Sequence, residues 1–251
     1  MLRLQADART RVISYLHQSI LRAAVKAGDK VLDAGCGPGR FSIALKEIGA
    51  DFVAADASTV QLALAGQSLA ARFPRARHRL AQLNVPNLPF CNAAFDCVVC
   101  FGSVLSHLGS DALAGFGELV RVTKRGGALL VSVQSMQNFY LPDLLEWSRQ
   151  FGVKAVDRFV LEGEEIPNAS SIPWRQFSHA EIESTACDLG CRVEMMSASN
   201  VLATVESIPL LESIERDERL WRSFLRWEEH LARQPNNLDR GAHLIAALRK
   251  L

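Results

Sequence analysis

Residues 31–40 read VLDAGCGPGR. Val31 and Leu32 end a buried strand, Asp33 follows, and glycines stand at every second position before Phe41 to Leu45 opens a helical pattern. The stretch is therefore a strand, a tight turn and a helix start. Gly35, Gly37 and Gly39 carry no Cβ and take positive φ, so a ligand lies directly against the backbone at the carboxyl edge of a parallel sheet. A dinucleotide fingerprint needs Gly or Ala three positions after the second glycine for close helix–strand packing, and Arg40 stands there. Asp33 adds a carboxylate that repels a pyrophosphate and favours an ammonium or sulfonium group.

The whole chain bounds what surrounds this turn. Its 251 residues suit one domain with a sizeable core, and 49% hydrophobic with 22% charged residues is ordinary for a globular protein. A net charge of +1 generates no global field toward nucleic acid or anionic lipid. The start, MLRLQADARTRV, lacks the apolar stretch of a signal peptide, and no run approaches the roughly 18 apolar residues of a membrane span, so a cytoplasmic location is expected. Six scattered cysteines fit free thiols in a reducing compartment. Cys97 and Cys100 sit an odd number of residues apart in a strand-like run, which sends them to opposite faces and excludes a shared metal or redox pair. No metal centre is expected.

Thr10 to Ala27 has helical periodicity and ends at Gly28, giving a leading helix whose Tyr15 and His17 are candidate lid residues, against the plainer reading of a surface helix covering the sheet. DFVAAD (51–56) is a short strand ending in Asp56, 21 residues after Gly35 and close to the roughly 20 expected of a carboxylate gripping ribose hydroxyls. Ser58 caps a helix over Thr59 to Leu69. Arg72, Arg75, Arg77 and Arg79 lead into the third strand (His78 to Leu83), which puts them at the amino edge, away from any ligand crevice. A fourth strand, Cys97 to Phe101, ends at Gly102-Ser103, with His107 a few residues on as a candidate base, although a histidine here also suits packing or capping. Leu113 to Val122 is a helix, Gly126-Gly127 turn into a fifth strand, and Ser178 to Glu181 form a capping box for a helix ending near Gly190. Cys191 to Ser197 and Ala242 to Leu248 are the last strands, while Leu220, Phe224, Trp227 and Leu231 mark one helical stripe suited to core packing, an acceptor cover or a homodimer face.

With these segments in order, the chain resembles the class I S-adenosylmethionine-dependent methyltransferases. The first motif of that family runs strand, D/E-x-G-x-G-x-G, helix; NVPNLPF (84–90) and FDCVV (95–99) resemble its D-x-x-x-L-P-F and F-D-x-V, and TKRGG (123–127) its K-P-G-G turn. The resemblance implies a doubly wound α/β fold, a mostly parallel seven-stranded sheet with an antiparallel last strand and helices on both faces. It implies S-adenosylmethionine as cofactor, bound by Asp33, Gly35, Cys36, Gly37, Gly39, Asp56, Ala57, Asn84, Val85 and Phe101. Asp33 would hold the methionine end, Asp56 the ribose, and Val85 would offer a backbone N–H to the adenine. Asn84 replaces the usual acid, and its carbonyl still accepts from the adenine amino group. The N/D-P-P-Y/F motif of members that methylate amines of nucleic acid or glutamine is absent.

The expected organisation is a single domain over 1–251, with core at about 10–135 and 178–251 and insertions at about 136–177 and 205–235 covering the acceptor site. The first insertion concentrates Phe139, Tyr140, Trp147, Phe151, Phe159, Trp174 and Phe177, suited either to an aromatic acceptor pocket or to a satellite hydrophobic cluster. The expected function is methyl transfer to an oxygen, nitrogen or carbon of a small organic acceptor, with His107 as the candidate catalytic residue and neither nucleic acid nor membrane as partner. A non-catalytic cofactor-binding module and a nicotinamide-dependent oxidoreductase are the alternatives.

Overall fold

The computed structural model describes residues 7–136, 141–162 and 175–251. Seven strands form one sheet in the order β3-β2-β1-β4-β5-β7-β6. They are β1 (Lys30–Ala34), β2 (Asp51–Asp56), β3 (Leu80–Gln82), β4 (Phe95–Cys100), β5 (Thr123–Gln134), β6 (Cys191–Ala198) and β7 (His243–Lys250). The first five run parallel, and β7 enters antiparallel between β5 and β6. This is the expected doubly wound sheet, with the direction of strand progression reversing at β1 and β4, where ligands of such folds bind.

The strands carry apolar residues on both sides because helices cover both faces. On one face Val31, Cys97, Val99 and Leu130 pack with α1 (Ala8–Ala24), α2 (Arg40–Ile48), α3 (Thr59–Arg72), α8 (Ile208–Ile214) and α9 (Glu218–Ala232). On the other, Leu32, Val98, Cys100 and Leu129 pack with Phe116 and Leu119 of α4 (Ala112–Val122) and with Ile182 and Ala186 of α7 (His179–Asp188). Cys97 and Cys100 thus occupy opposite faces, and both are free and buried. Two further helices, α5 (Leu141–Phe151) and α6 (Val153–Glu162), follow β5, with Trp147 and Phe159 in edge-to-face contact. Phe139, Tyr140 and Trp174 lie outside the described residues.

Boundaries move where local chemistry overrides periodicity. The leading helix stops at Ala24 because Val25 turns extended, before a left-handed Gly28. Ser58 and Ser178 cap α3 and α7 by accepting from Gln61 and Glu181 N–H groups. Arg72 and Arg79 pair with Glu47 and Asp51, and Asp51 begins β2 at the amino edge of the sheet. The stripe of α9 is rotated from the one expected: Phe224, Glu228 and Ala232 are buried, while Trp227 is 52% exposed. The cause is Glu228, fully buried, whose carboxylate accepts the backbone N–H groups of Val201, Leu202 and Ala203 and so turns its own side of the helix inward. Among the described residues no helix is long and apolar enough to cross a membrane.

Candidate active site

The turn after β1 is built by β2. Gly35 and Cys36 donate their N–H groups to the Ala55 carbonyl at 2.7 and 2.8 Å, and Asp56 receives Gly37 N–H on Oδ2 and Ser58 N–H on Oδ1, both at 2.9 Å. The acid is therefore fixed by two backbone donors at the carboxyl end of β2. Gly37, at φ +53°, has open space where a Cβ would stand, whereas a Cβ on Gly39 would come within 3.1 Å of Ala65 Cα. The two glycines are needed for different reasons: Gly37 leaves room above the loop, and Gly39 lets α2 approach α3.

A cavity of about 460 Å³ opens beside this turn. Its walls include Gly35, Gly37, Asp56, Ala57, Asn84, Val85, Gly102, Val104 and His107. Asn84 and Val85 are held there from outside: Glu118 accepts Leu88 N–H at 2.9 Å, and Arg121, paired with Glu118, donates to the Leu88 and Phe90 carbonyls at 2.9 and 2.7 Å. This clamp went unrecognised in the sequence, although ELVR (118–121) places acid and base three apart on one helical face.

Four of the residues expected to bind cofactor lie off the cavity wall. Asp33 is 1% exposed and takes a 2.5 Å hydrogen bond from Ser42 on α2; burial pushes its carboxyl up to about 6, with the Asp56 charge adding to the rise and the Ser42 bond opposing it. It braces the turn from beneath. Cys36 is buried with its thiol pushed upward, chiefly by burial. Gly39 meets Ala65, and Phe101 points to the opposite side of β4, edge-on to both Phe41 and His17. His17, expected as a lid residue, is 1% exposed within that cluster.

Past Phe101 the chain enters the cavity wall again. Gly102 N–H binds Ser132 Oγ at 2.9 Å, Ser103 takes φ +61°, and the exposed His107 closes the turn through its own N–H. Partial burial lowers the His107 imidazole below its ordinary value, so its neutral, proton-accepting form prevails near neutral pH.

The methyltransferase-domain family matches residues 31–127, which run from β1 through the turn into β5. Among curated relatives, the malonyl-[acyl-carrier protein] O-methyltransferase of Serratia marcescens is 34% identical over 134 residues, 53% of this chain and 49% of the relative. The demethylmenaquinone methyltransferase of Beutenbergia cavernae is 33% identical over 132 residues, 48% of this chain and 50% of the relative. The chain thus spans about half the length of these relatives. Among solved structures, the [4+2]-cyclase SpnF aligns with TM-score 0.62 at 18% identity over 94% of this chain and 81% of that one. An S-adenosylmethionine-dependent methyltransferase from Methanosarcina mazei aligns with TM-score 0.61 at 18% identity over 92% and 97%. At such identities the structures speak for the fold.

Proposed function

The chain belongs to the class I S-adenosylmethionine-dependent methyltransferases, and from that premise we propose that it transfers a methyl group from S-adenosylmethionine to an oxygen, nitrogen or carbon of a small organic acceptor. The observation that carries the reading is the cavity in which Asp56, Asn84 and the open face of Gly37 meet. Its parts fit the cofactor's parts. Asp56, held by Gly37 and Ser58, keeps acceptor capacity for a ribose diol. Asn84 offers an amide to the adenine edge, and Val85, Leu88 and Leu108 give its ring an apolar wall. The backbone at Gly37 and Gly102, where no side chain intrudes, leaves a passage for the methionine end. Asp33, withdrawn beneath the turn, reaches that end only by its field or through water.

When bound, the cofactor supplies a methyl group already activated by positive sulfur. The protein's contribution is alignment: reactants held in line gain most of their advantage from proximity and orientation. His107, on the same wall as Gly102, is the residue suited to receive a proton from an acceptor that must lose one. The near-neutral surface and the arginines paired at the amino edge support a small acceptor over nucleic acid. The six free thiols support a reducing, cytoplasmic setting. The segments at 136–177 and 205–235 would cover the acceptor within one domain, and the exposed Trp227 and Leu220 offer a homodimer face.

Calorimetry with S-adenosylhomocysteine tests the first half of the proposal and transfer from labelled S-adenosylmethionine to a panel of small acceptors the second. Absence of binding rejects the methyl donor. Tight binding without transfer to any acceptor favours a non-catalytic module.

A further inference from the structure

One wall residue of the cavity beside the glycine turn has an unmet hydrogen-bonding need. Gln61, in the first turn of α3, lines that cavity, and its side-chain Oε1 is buried with no hydrogen-bond partner among the described residues. Of the described residues that line the cavity, it alone holds such an atom. Its backbone is fixed, since Ser58 Oγ accepts the Gln61 N–H at 3.3 Å as the cap of the helix. Buried polar atoms are nearly always satisfied, and an orphan costs stability unless something else supplies its bond. The terminal torsion of a glutamine is broad and roughly twofold, so the amide turns on this fixed backbone to meet a ligand.

The position of Gln61 selects the part of the cofactor it meets. Asp56, at the end of β2, is the residue matched to the ribose, and Asn84 and Val85, just past β3, are those matched to adenine. Gln82 at the end of β3 donates through Nε2 to the Ala57 carbonyl at 3.1 Å, which ties the approach to α3 to the chain that carries Asn84. Gln61 and Asn84 therefore bound the same end of the cavity. The passage for the methionine end, by Gly102 and His107, follows β4, which is separated from β2 by β1.

With the ribose matched to Asp56, and adenine N1 and one N6 proton matched to Val85 and Asn84, N7 and the second N6 proton remain. That edge sets an acceptor beside a donor, and a glutamine amide meets both at once, as Gln and Asn do when they read adenine in a groove of DNA. We propose that Gln61 selects adenine in the cofactor: Nε2 donates to N7, and Oε1 accepts the N6 proton that Asn84 leaves. This rests on the methyl-donor reading and goes beyond it, since adenine is then read on two edges by amides from two elements. A base with a keto oxygen at position 6 offers Oε1 no proton, and a base without N7 offers Nε2 no acceptor.

The test is calorimetry with S-adenosylhomocysteine and with its 7-deaza analogue, in which C–H replaces N7. Wild type should bind the analogue about tenfold more weakly, because the amide N–H is left in the site without its acceptor. Gln61→Met keeps the length of the side chain and removes both bonds. It should bind the two compounds within about twofold of one another, with S-adenosylhomocysteine weakened about tenfold relative to wild type. Independently of the variant, the ¹⁵N side-chain amide resonance of Gln61 in wild type should move on adding S-adenosylhomocysteine and move less with the analogue. Equal affinity of wild type for the two compounds, a preference retained in Gln61→Met, or the same amide shift with both overturns the role of Gln61 and leaves the methyl-donor reading intact. If neither compound binds wild type, the methyl-donor reading falls and the role of Gln61 falls with it.

Discussion

Asp56 and Gly37 are joined across the first two strands: the carboxylate accepts the glycine N–H at 2.9 Å, so one residue both shapes the turn and faces the cavity. Asp56→Ala removes the acceptor for Gly37 and Ser58 together with the candidate ribose ligand. At about 1.5–3 kcal/mol per hydrogen bond to a charged group, S-adenosylhomocysteine affinity should fall by at least about tenfold. Calorimetry showing wild-type affinity in this variant would remove Asp56 from the site.

The glycines of the turn should separate by phenotype. Gly37→Val places a side chain into open space at φ +53° and should abolish cofactor binding with a folded protein. Gly39→Ala, at φ +88° with Ala65 backbone 3.1 Å from the new Cβ, should instead lower stability by more than about 1 kcal/mol. Binding isotherms and urea melts of both variants check the split; a reversed pattern refutes it.

Acid should weaken the fold through the imidazoles and be partly opposed by one carboxyl. His17 and His243, near 3 and 4 folded against an ordinary 6.5, bind protons preferentially when unfolded, so stability is lost as pH falls below about 6.5. Asp33, near 6 folded against 3.8, has the opposite sign: the folded state binds its proton first, and stability is lost as pH rises from about 4 to about 6. Denaturant melts at pH 7 and pH 4.5 should show His17→Phe losing less stability on acidification than wild type, and Asp33→Asn losing more. Identical pH dependence in all three proteins contradicts the assignment.

Glu228 is a structural anion. Replacing it by Ala strands the buried N–H of Ala203, at about 1–3 kcal/mol, and removes the acceptor of the part-buried N–H groups of Val201 and Leu202. Even with relaxation, urea unfolding should reveal a loss of about 3 kcal/mol or more, and a loss under about 1 kcal/mol would show that water replaces the carboxylate.

His107→Ala should lower methyl transfer by about 10²-fold while S-adenosylhomocysteine binds nearly as before. Equal initial rates in variant and wild type would return His107 to a packing role.

The doubly wound sheet and the glycine turn were readable because local chemistry and tertiary context agree there. DFVAAD forms a strand over the expected residues, and Ser58 and Ser178 cap the helices they precede. What could not be read depends on which way a side chain points. Asp33 in β1 and Phe101 just past β4 lie beside the cofactor region, but backbone alternation turns both toward the layer of α1 and α2. Of the three readings of the α9 stripe, core packing fails at Trp227 for a related reason: three distant backbone N–H groups require Glu228 inward there. Helical position made His17 a candidate lid residue, because nothing local marks a histidine whose ring neighbours, Phe41, Phe101 and His243, come from distant parts of the chain.

The insertion of β7 between β5 and β6 also orders assembly. Among the described residues β6 pairs with no other strand, so Cys191–Ala198 waits for a partner that begins 45 residues after its own end, at His243. Until that distant segment docks, β5 is a bare edge and β6 has no sheet to join, while β1 to β5 can already associate. Closing the intervening segment costs entropy before any ladder bond returns it. The last antiparallel step should thus be slow and leave an exposed strand edge open to intermolecular pairing during refolding.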